Sequence, residues 1–152
     1  MSLLEKAIQI AVRAHAGQED RAGRPYILHP IQVMCRVHAE VEKTVAILHD
    51  TVEDTELTLE NLRQEGFPEE IIAAVDCLTK REGEPYEALI QRAKANPLAR
   101  PVKLADLEDN MDPRRNTQVT DKDLARFGRY LRAWHELKAA ETGARQKEPA
   151  VS

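Results

Sequence analysis

The chain has 152 residues and a formal net charge of −4, with 42% hydrophobic and 32% charged residues. This length fits one ordinary domain, and the composition is typical of a globular protein rather than a disordered chain. The negative balance argues against binding to nucleic acid through overall charge. No run of about 18 apolar residues suggests a membrane span, and no signal peptide is recognisable, so a cytoplasmic location is expected. Cys35 and Cys77 lie far apart without a CxxC partner, so we expect buried, reduced thiols.

Apolar residues recur with helical spacing along most of the chain. In chain order, this spacing predicts helices over 4–15, from Pro30, over 41–52, 58–66, 68–78 and 85–95, from Pro101, and from Thr120. A loop is predicted over 18–30, where glycine and proline are frequent. Thr58 and Thr120 are typical of helix N-caps. The last helix is expected to bury Leu124, Phe127, Leu131, Trp134 and Leu137.

No segment alternates like a strand, so the predicted fold is all-α, a compact bundle of about seven or eight helices. The domain is expected to cover residues 1–141. Residues 142–152 are rich in small and charged residues, which favours a flexible tail. The sequence leaves the oligomeric state open.

Chemically active residues interrupt the apolar pattern in three places: at His29, in the stretch 49–54 and in the stretch 103–110. On a helix, neighbours three and four residues apart share a face. His49, Asp50, Glu53 and Asp54 would therefore lie within one half of a helix surface. Three carboxylates and an imidazole so close together repel and compete for protons, and a cation would relieve that conflict.

The third stretch places a carboxylate in apolar surroundings. Asp106 lies among Val102, Leu104 and Ala105, where an unpaired charge is costly. Two imidazoles and two carboxylates suit Mn²⁺, Fe²⁺ or Zn²⁺, and the candidate ligands are His29, His49, Asp50 and Asp106. From the residues alone, a solvated acidic helix face is an equally good interpretation.

The order of these segments resembles the HD phosphohydrolase superfamily. Within it, the chain is similar to the hydrolase domain of Rel/Spo-type alarmone enzymes and to the stand-alone small alarmone hydrolases. The matching stretches span about residues 4–111 and are Ala14-His15-Ala16-Gly17-Gln18, Gly23-Arg24-Pro25-Tyr26-Ile27-Leu28-His29-Pro30, His49-Asp50-Thr51-Val52-Glu53-Asp54-Thr55, Leu78-Thr79-Lys80, Val102-Lys103-Leu104-Ala105-Asp106 and Asn110-Met111.

This resemblance implies a metal-dependent hydrolase that removes pyrophosphate from the ribose 3′ position of guanosine tetra- or pentaphosphate. One metal, Mn²⁺ in the first place, would be held by His29, His49, Asp50 and Asp106. Glu53 and Asp54 would orient water and act as general acid and base, and Asn110 would contact ribose or phosphate. Among nearby basic residues, Arg21 in the loop before His29 and Lys103 on the Asp106 face are the predicted substrate contacts. A separate synthetase domain is not expected in a chain of this length.

The chain departs from the family pattern near the expected substrate. Asp20 stands where the family carries a basic residue that packs on guanine, and a carboxylate offers no cationic plane. After Asp106, acidic residues of Leu107-Glu108-Asp109 replace the family's basic and imidazole groups. Another nucleotide or phosphate ester as substrate, or a non-catalytic metal- or nucleotide-binding module, therefore remain alternatives.

Overall fold

The structure, a computed structural model, describes residues 1–116 and 118–147. Within these ranges the chain is all-α, as predicted, with one isolated β-bridge between Glu19 and Pro25. The helices are α1 (Leu3–Ala14), α2 (Leu28–Arg36), α3 (Glu40–Leu48), α4 (Thr51–Asp54), α5 (Leu59–Gln64), α6 (Glu69–Leu78), α7 (Tyr86–Ala95), α8 (Ala99–Asn110) and α9 (Asp121–Lys147). Among the described residues, none of these helices combines the length and the apolar character needed to cross a membrane.

Helix α3 lies at the centre of the bundle. Its residues 44–48 are all buried, and it packs against α1, α2, α6 and α8. Val45, Ile47 and Leu48 belong to the main apolar core. A smaller core lies where α9 covers α7 and α8, around Ile90, Leu107 and Leu137. The central position of α3 places its last residues deep inside the molecule, next to α2 and α8.

Two prolines lie inside the first turn of a helix rather than at its entrance. The sequence predicted that α2 follows Pro30 and that Pro101 opens α8, but both helices begin two residues earlier. A proline is tolerated there because the first backbone N–H groups of a helix have no intrahelical partner. At α8, the Asn96 side chain accepts from the Leu98 and Ala99 amides and caps the helix start.

The predicted helix over 41–52 is broken at His49 and Asp50, and this break raises the number of helices to nine in the described residues. The side chains around the break satisfy the last carbonyls of α3. His49 donates from Nδ1 to Ala46 O at 2.6 Å, and Thr51 donates from Oγ1 to Leu48 O at 2.7 Å. The short helix α4 then carries Glu53 and Asp54, so the four residues do not lie on one continuous helix as predicted.

Both predicted N-caps are confirmed. Thr58 accepts from the Asn61 amide, and the Asn61 side chain accepts from the Thr58 amide, which forms a capping box at α5. At α9, Thr120 and Asp123 exchange the same pair of contacts, with Thr120 N to Asp123 Oδ2 at 2.9 Å. Aspartate thus performs the role usually given to glutamate at this position.

The predicted buried stripe of α9 is only partly right. Leu137 is fully buried, and Phe127 and Trp134 are half-buried, but Leu124 is 60% and Leu131 is 51% exposed. The face that meets α7 and α8 carries Tyr130, Ala133, Trp134 and Leu137. At about 100° per residue, Leu124 and Leu131 lie about 110–130° away from the centre of that face.

The predicted tail over 142–152 overlaps α9, which continues to Lys147. An ion pair of 2.5 Å between Arg100 Nε and Glu141 Oε1 ties this part of α9 to the start of α8. Thr142 also donates to Lys138 O at 3.0 Å. Residues 142–147 are therefore helical, and the remainder of the predicted tail, 148–152, lies outside the described residues.

Both cysteines are free thiols, but the prediction of burial is wrong for Cys35, which is exposed, while Cys77 is half-buried. Helix α2 buries His29, Pro30 and Val33. Cys35 lies two residues after Val33, and this spacing places it on the opposite face of the helix.

Candidate metal centre and active site

Four side chains from separate parts of the chain converge beside the end of α3. His29 comes from α2, His49 and Asp50 from the α3–α4 junction, and Asp106 from α8. His29 Nε2 lies 3.0 Å from Asp106 Oδ1 and 3.6 Å from Asp50 Oδ2. His49 Nε2 lies 3.1 Å from Asp50 Oδ2 and 3.4 Å from Asp106 Oδ1. The structure thus brings together all four predicted ligands.

The tautomer of His49 is fixed by the protein backbone. Its Nδ1 must carry the hydrogen, because the Ala46 carbonyl can only accept. The opposite nitrogen, Nε2, is buried and makes no hydrogen bond, although it faces two carboxylates. A buried, unpartnered ring nitrogen beside carboxylate oxygens fits a divalent cation of the Mn²⁺, Fe²⁺ or Zn²⁺ class.

The charges of the four side chains also fit a cation. Burial alone would lower the pKa of His49, but the charges of Asp50 and Asp106 raise it well above its usual value. Burial would raise the pKa of Asp50, yet the adjacent His49 holds it below its usual value. The raised pKa of His49 therefore reflects the negative charge of the carboxylates around it. A divalent cation would balance the same charge.

Asp106 is held by two further contacts. Lys103 donates from Nζ to Oδ2 at 2.8 Å, and Asn110 donates from Nδ2 to Oδ1 at 3.1 Å. Burial would raise the pKa of Asp106, but Lys103 and the two imidazoles hold it well below its usual value. The Lys103 side chain is only 12% exposed. The ammonium group predicted to contact substrate is therefore committed to a candidate metal ligand.

Glu53 and Asp54 lie at the outer edge of this cluster. Their carboxylate oxygens and one of Asp50 all lie within 4.8 Å of one another. Glu53 accepts from the Lys80 backbone amide at 2.6 Å. Burial, followed by the charges of Asp50 and Glu53, raises the pKa of Asp54 to about 6. A carboxyl with such a pKa can both accept and donate a proton near neutral pH.

A cavity of about 680 Å³ opens over the candidate metal ligands. Its walls include Glu53, Asp54, Lys80, Tyr86, Asn110 and Tyr130. A neighbouring cavity of about 300 Å³ shares Tyr26, Asn110 and Tyr130 with it and extends to Arg21, Arg115 and Arg126. The two cavities together offer a carboxylate-rich end and an arginine-lined end.

The predicted substrate contacts lie in different parts of these cavities. Asn110 lines both, with its Oδ1 accepting from Arg115 at 2.9 Å. Arg21 lines only the smaller cavity; its side chain is 77% exposed and its guanidinium lies 3.0 Å from Asp123. Lys103 lines the larger one. The three residues therefore do not form one contiguous cationic patch.

Asp20 has a structural task in the loop before α2. Its Oδ1 accepts from the backbone amides of Ala22 and Arg24, and its Oδ2 accepts from Arg24 Nε at 3.2 Å. This arrangement is typical of an aspartate that stabilises a turn. From the sequence, Asp20 was interpreted only as the absence of a basic side chain for guanine, because the pattern gave no sign of these local hydrogen bonds.

The acidic residues after Asp106 do not lie near the expected phosphate positions, although the sequence had suggested that they would. Asp109 is buried behind His29 and accepts from its Nδ1 at 2.7 Å, and Glu108 accepts from Trp134 Nε1 at 3.0 Å. Neither residue lines the two cavities over the site. A signal was present, since Asp109 follows Asp106 by three residues and so shares its side of α8.

No protein-family model matches the chain. A guanosine-3′,5′-bis(diphosphate) 3′-pyrophosphohydrolase of Aquifex aeolicus is 33% identical over 121 residues, covering 71% of this chain and 17% of that protein. A GTP pyrophosphokinase of Streptomyces coelicolor is 37% identical over 154 residues, covering 91% of this chain and 16% of that protein. The chain thus spans about a sixth of the length of these curated relatives.

The fold is also found among solved structures. One is described as a metazoan orthologue of SpoT that hydrolyses ppGpp; it superposes with a TM-score of 0.74 at 23% identity, covering 90% of this chain and 85% of that one. At this identity the likeness establishes the fold. The predicted resemblance is therefore confirmed: the chain is an HD-type domain similar to one segment of the Rel/Spo-type alarmone enzymes.

Proposed function

We propose that this chain is a metal-dependent phosphohydrolase that removes the 3′-diphosphate of guanosine 3′,5′-bis(diphosphate). The observation that carries the proposal is the convergence of His29, His49, Asp50 and Asp106 at the floor of a cavity, next to the carboxyls of Glu53 and Asp54. The name of the Aquifex relative supports the same reaction. The proposed ligand of the cavity is a small-molecule nucleotide. The proposed location of the protein is the cytoplasm.

The four side chains would hold one divalent metal, with Mn²⁺ proposed first and Fe²⁺ or Zn²⁺ compatible with the same donors. When bound, such a metal acts as a Lewis acid that lowers the pKa of water and polarises a phosphoryl oxygen. The surrounding protein keeps the candidate ligands in the protonation state that binds a metal. Ala46 fixes the tautomer of His49, and Lys103 keeps Asp106 ionised.

Glu53 and Asp54 would handle water and protons. With its pKa raised to about 6, Asp54 can take a proton from the attacking water and return it to the leaving 3′ oxygen. Glu53 is held by the Lys80 amide at the same rim, where it can accept a hydrogen bond from the water and orient it. Both roles require only groups that already line the larger cavity.

The rest of the nucleotide would occupy the two adjoining cavities. Asn110, which lines both, is placed to contact the ribose. The smaller cavity offers Arg21 and Arg126 for phosphate, together with the ring of Tyr130 for the base.

A second candidate is hydrolysis of a less highly charged phosphate ester. The cationic side chains nearest the cluster already form ion pairs with carboxylates: Lys103 with Asp106, and Arg115 with Asp109. Fewer free positive charges favour a substrate with fewer phosphates. A panel of guanosine tetraphosphate, GTP, a 3′-phosphorylated dinucleotide and a simple phosphodiester, each with Mn²⁺, separates the two. Highest kcat/KM on guanosine tetraphosphate supports the first candidate, and highest kcat/KM on another member supports the second. Metal binding without turnover on any member would indicate a binding module.

A further inference from the structure

The strongest unassigned feature of the site is the carboxylate on the far side of His29. The Asp109 side chain is 2% exposed, and its Oδ2 lies 2.7 Å from His29 Nδ1. The other nitrogen of the same ring, Nε2, lies 3.0 Å from Asp106 Oδ1. The His29 imidazole therefore bridges a carboxylate outside the candidate ligand set and one inside it.

The hydrogen on this imidazole can be placed from its neighbours. If Nδ1 lacked a hydrogen, its lone pair would face the Asp109 oxygen at 2.7 Å, which is repulsive. Arg115 Nη1 also approaches Nδ1, at 3.0 Å, but it has acceptors in Asp109 Oδ2 at 3.1 Å and Asn110 Oδ1 at 2.9 Å. Nδ1 therefore donates to Asp109, and a metal bound at the cluster would take the place of any hydrogen on Nε2, which faces Asp106 Oδ1.

The buried charge of Asp109 is itself balanced. Arg115 contacts Oδ2, and Arg36 Nη2 lies 3.5 Å from Oδ1. Arg36 comes from α2, the helix that carries His29, whereas Asp109 and Asp106 lie three residues apart on α8. One face of α8 thus supplies both a candidate metal ligand, Asp106, and the carboxylate that contacts another candidate ligand, His29.

We infer that Asp109 is a positioning residue that orients His29 and fixes its tautomer so that Nε2 is directed at the metal. The inference rests on the proposed function, in which His29 is a ligand. A carboxylate behind a metal-bound histidine raises the basicity of the imidazole as well as fixing its orientation.

The test is the Mn²⁺ dissociation constant of the full chain, measured by competition with a chelator. Asp109→Asn keeps the shape of the side chain and removes its charge. The matched control is Asp112→Asn, because Asp112 also accepts from Arg36, at 3.0 Å, while its other side-chain partner is Arg114. We expect Asp109→Asn to weaken Mn²⁺ binding about 10- to 100-fold and the control to stay within about twofold of wild type.

Thermal unfolding of the metal-free variants separates positioning from general destabilisation. A merely structural role would lower the melting temperature and leave the Mn²⁺ affinity unchanged, and that outcome would overturn the inference. If the wild-type chain binds no Mn²⁺, Fe²⁺ or Zn²⁺, the proposed function fails and the inference with it. If wild type and Asp109→Asn bind equally well, the inference fails while the proposed function stands.

A second measurement needs no variant. In the Zn²⁺-loaded wild-type protein, nitrogen-15 NMR of the His29 ring reports which nitrogen carries the hydrogen. We expect a protonated Nδ1 with a hydrogen-bonded proton resonance and a metal-bound Nε2. A metal-bound Nδ1, or a hydrogen on Nε2, would contradict the assignment.

Discussion

The Tyr26 hydroxyl donates to Asp50 Oδ2 at 2.7 Å, so a residue of the loop before α2 directly supports a candidate metal ligand at the α3–α4 junction. The Tyr26 hydroxyl oxygen also lies 3.3 Å from Asp54 Oδ2. One phenol therefore connects the proposed ligand with the proposed acid and base. The sequence analysis had no means of finding this link, because the residues are 24 positions apart.

Tyr26→Phe removes this hydroxyl and keeps the ring. A hydrogen bond to a charged group contributes about 1.5–3 kcal/mol, so we expect kcat to fall at least about tenfold. Far less loss is expected from Tyr130→Phe, since the Tyr130 ring borders the same cavity without a hydrogen bond to a carboxylate in the described residues. Equal kcat values for Tyr26→Phe and wild type would show that Asp50 needs no support from the loop.

Asp20→Arg is expected to damage the loop rather than to restore guanine binding. The substitution leaves the amides of Ala22 and Arg24 without their acceptor, which should cost about 1 kcal/mol of stability. Asp20→Asn, which keeps one acceptor oxygen, is the control. Urea unfolding and KM for guanosine tetraphosphate should both be measured. A lower KM without loss of stability in Asp20→Arg would contradict this assignment.

The carboxyl of Asp54 should make the stability of the metal-free protein depend on pH. Its pKa is raised to about 6 in the folded state, whereas an unfolded chain has about 3.9. The folded state therefore keeps the Asp54 proton up to a higher pH than the unfolded state does. The free energy of unfolding should fall as pH rises from about 4 to about 6 and then level off. Asp54→Asn should remove that decrease, while exposed Glu82→Gln should not. The measurement is urea unfolding at several pH values with a chelator present. If the free energy of unfolding of Asp54→Asn depends on pH as it does in wild type, that result counts against the raised pKa of Asp54.

Lys103→Met should destabilise the metal-free protein strongly. It leaves the buried Asp106 carboxylate without its ammonium partner, and breaking a buried pair in this way costs about 3–5 kcal/mol. Lys94→Met provides the comparison, because it breaks an exposed pair with Glu136, worth about 0–1 kcal/mol. Similar free energies of unfolding for the two variants would indicate that Lys103 points to substrate instead.

The sequence predicted those parts of the site that depend on residue type and local spacing. His29, His49, Asp50 and Asp106 converge as expected. The helical periodicity assigned Asp106 to its helix, but it placed His29 in a loop and His49 and Asp50 inside a continuous helix. The contacts that sequence spacing does not determine were missed. Asp109 lies behind His29 only because α2 and α8 pack together, whereas the Lys103–Asp106 pair is three residues apart on α8 and follows from spacing. Leu131 is exposed because the side of α9 that meets α7 and α8 carries Tyr130, Ala133, Trp134 and Leu137 instead.

The most direct test of the central claim is pyrophosphate release from guanosine tetraphosphate by the purified chain with added Mn²⁺. Asp50→Ala serves as the blank, because it removes a proposed ligand. The account predicts release well above this blank, with GDP as the second product. Metal-loaded wild-type protein that releases no more pyrophosphate than Asp50→Ala would contradict it.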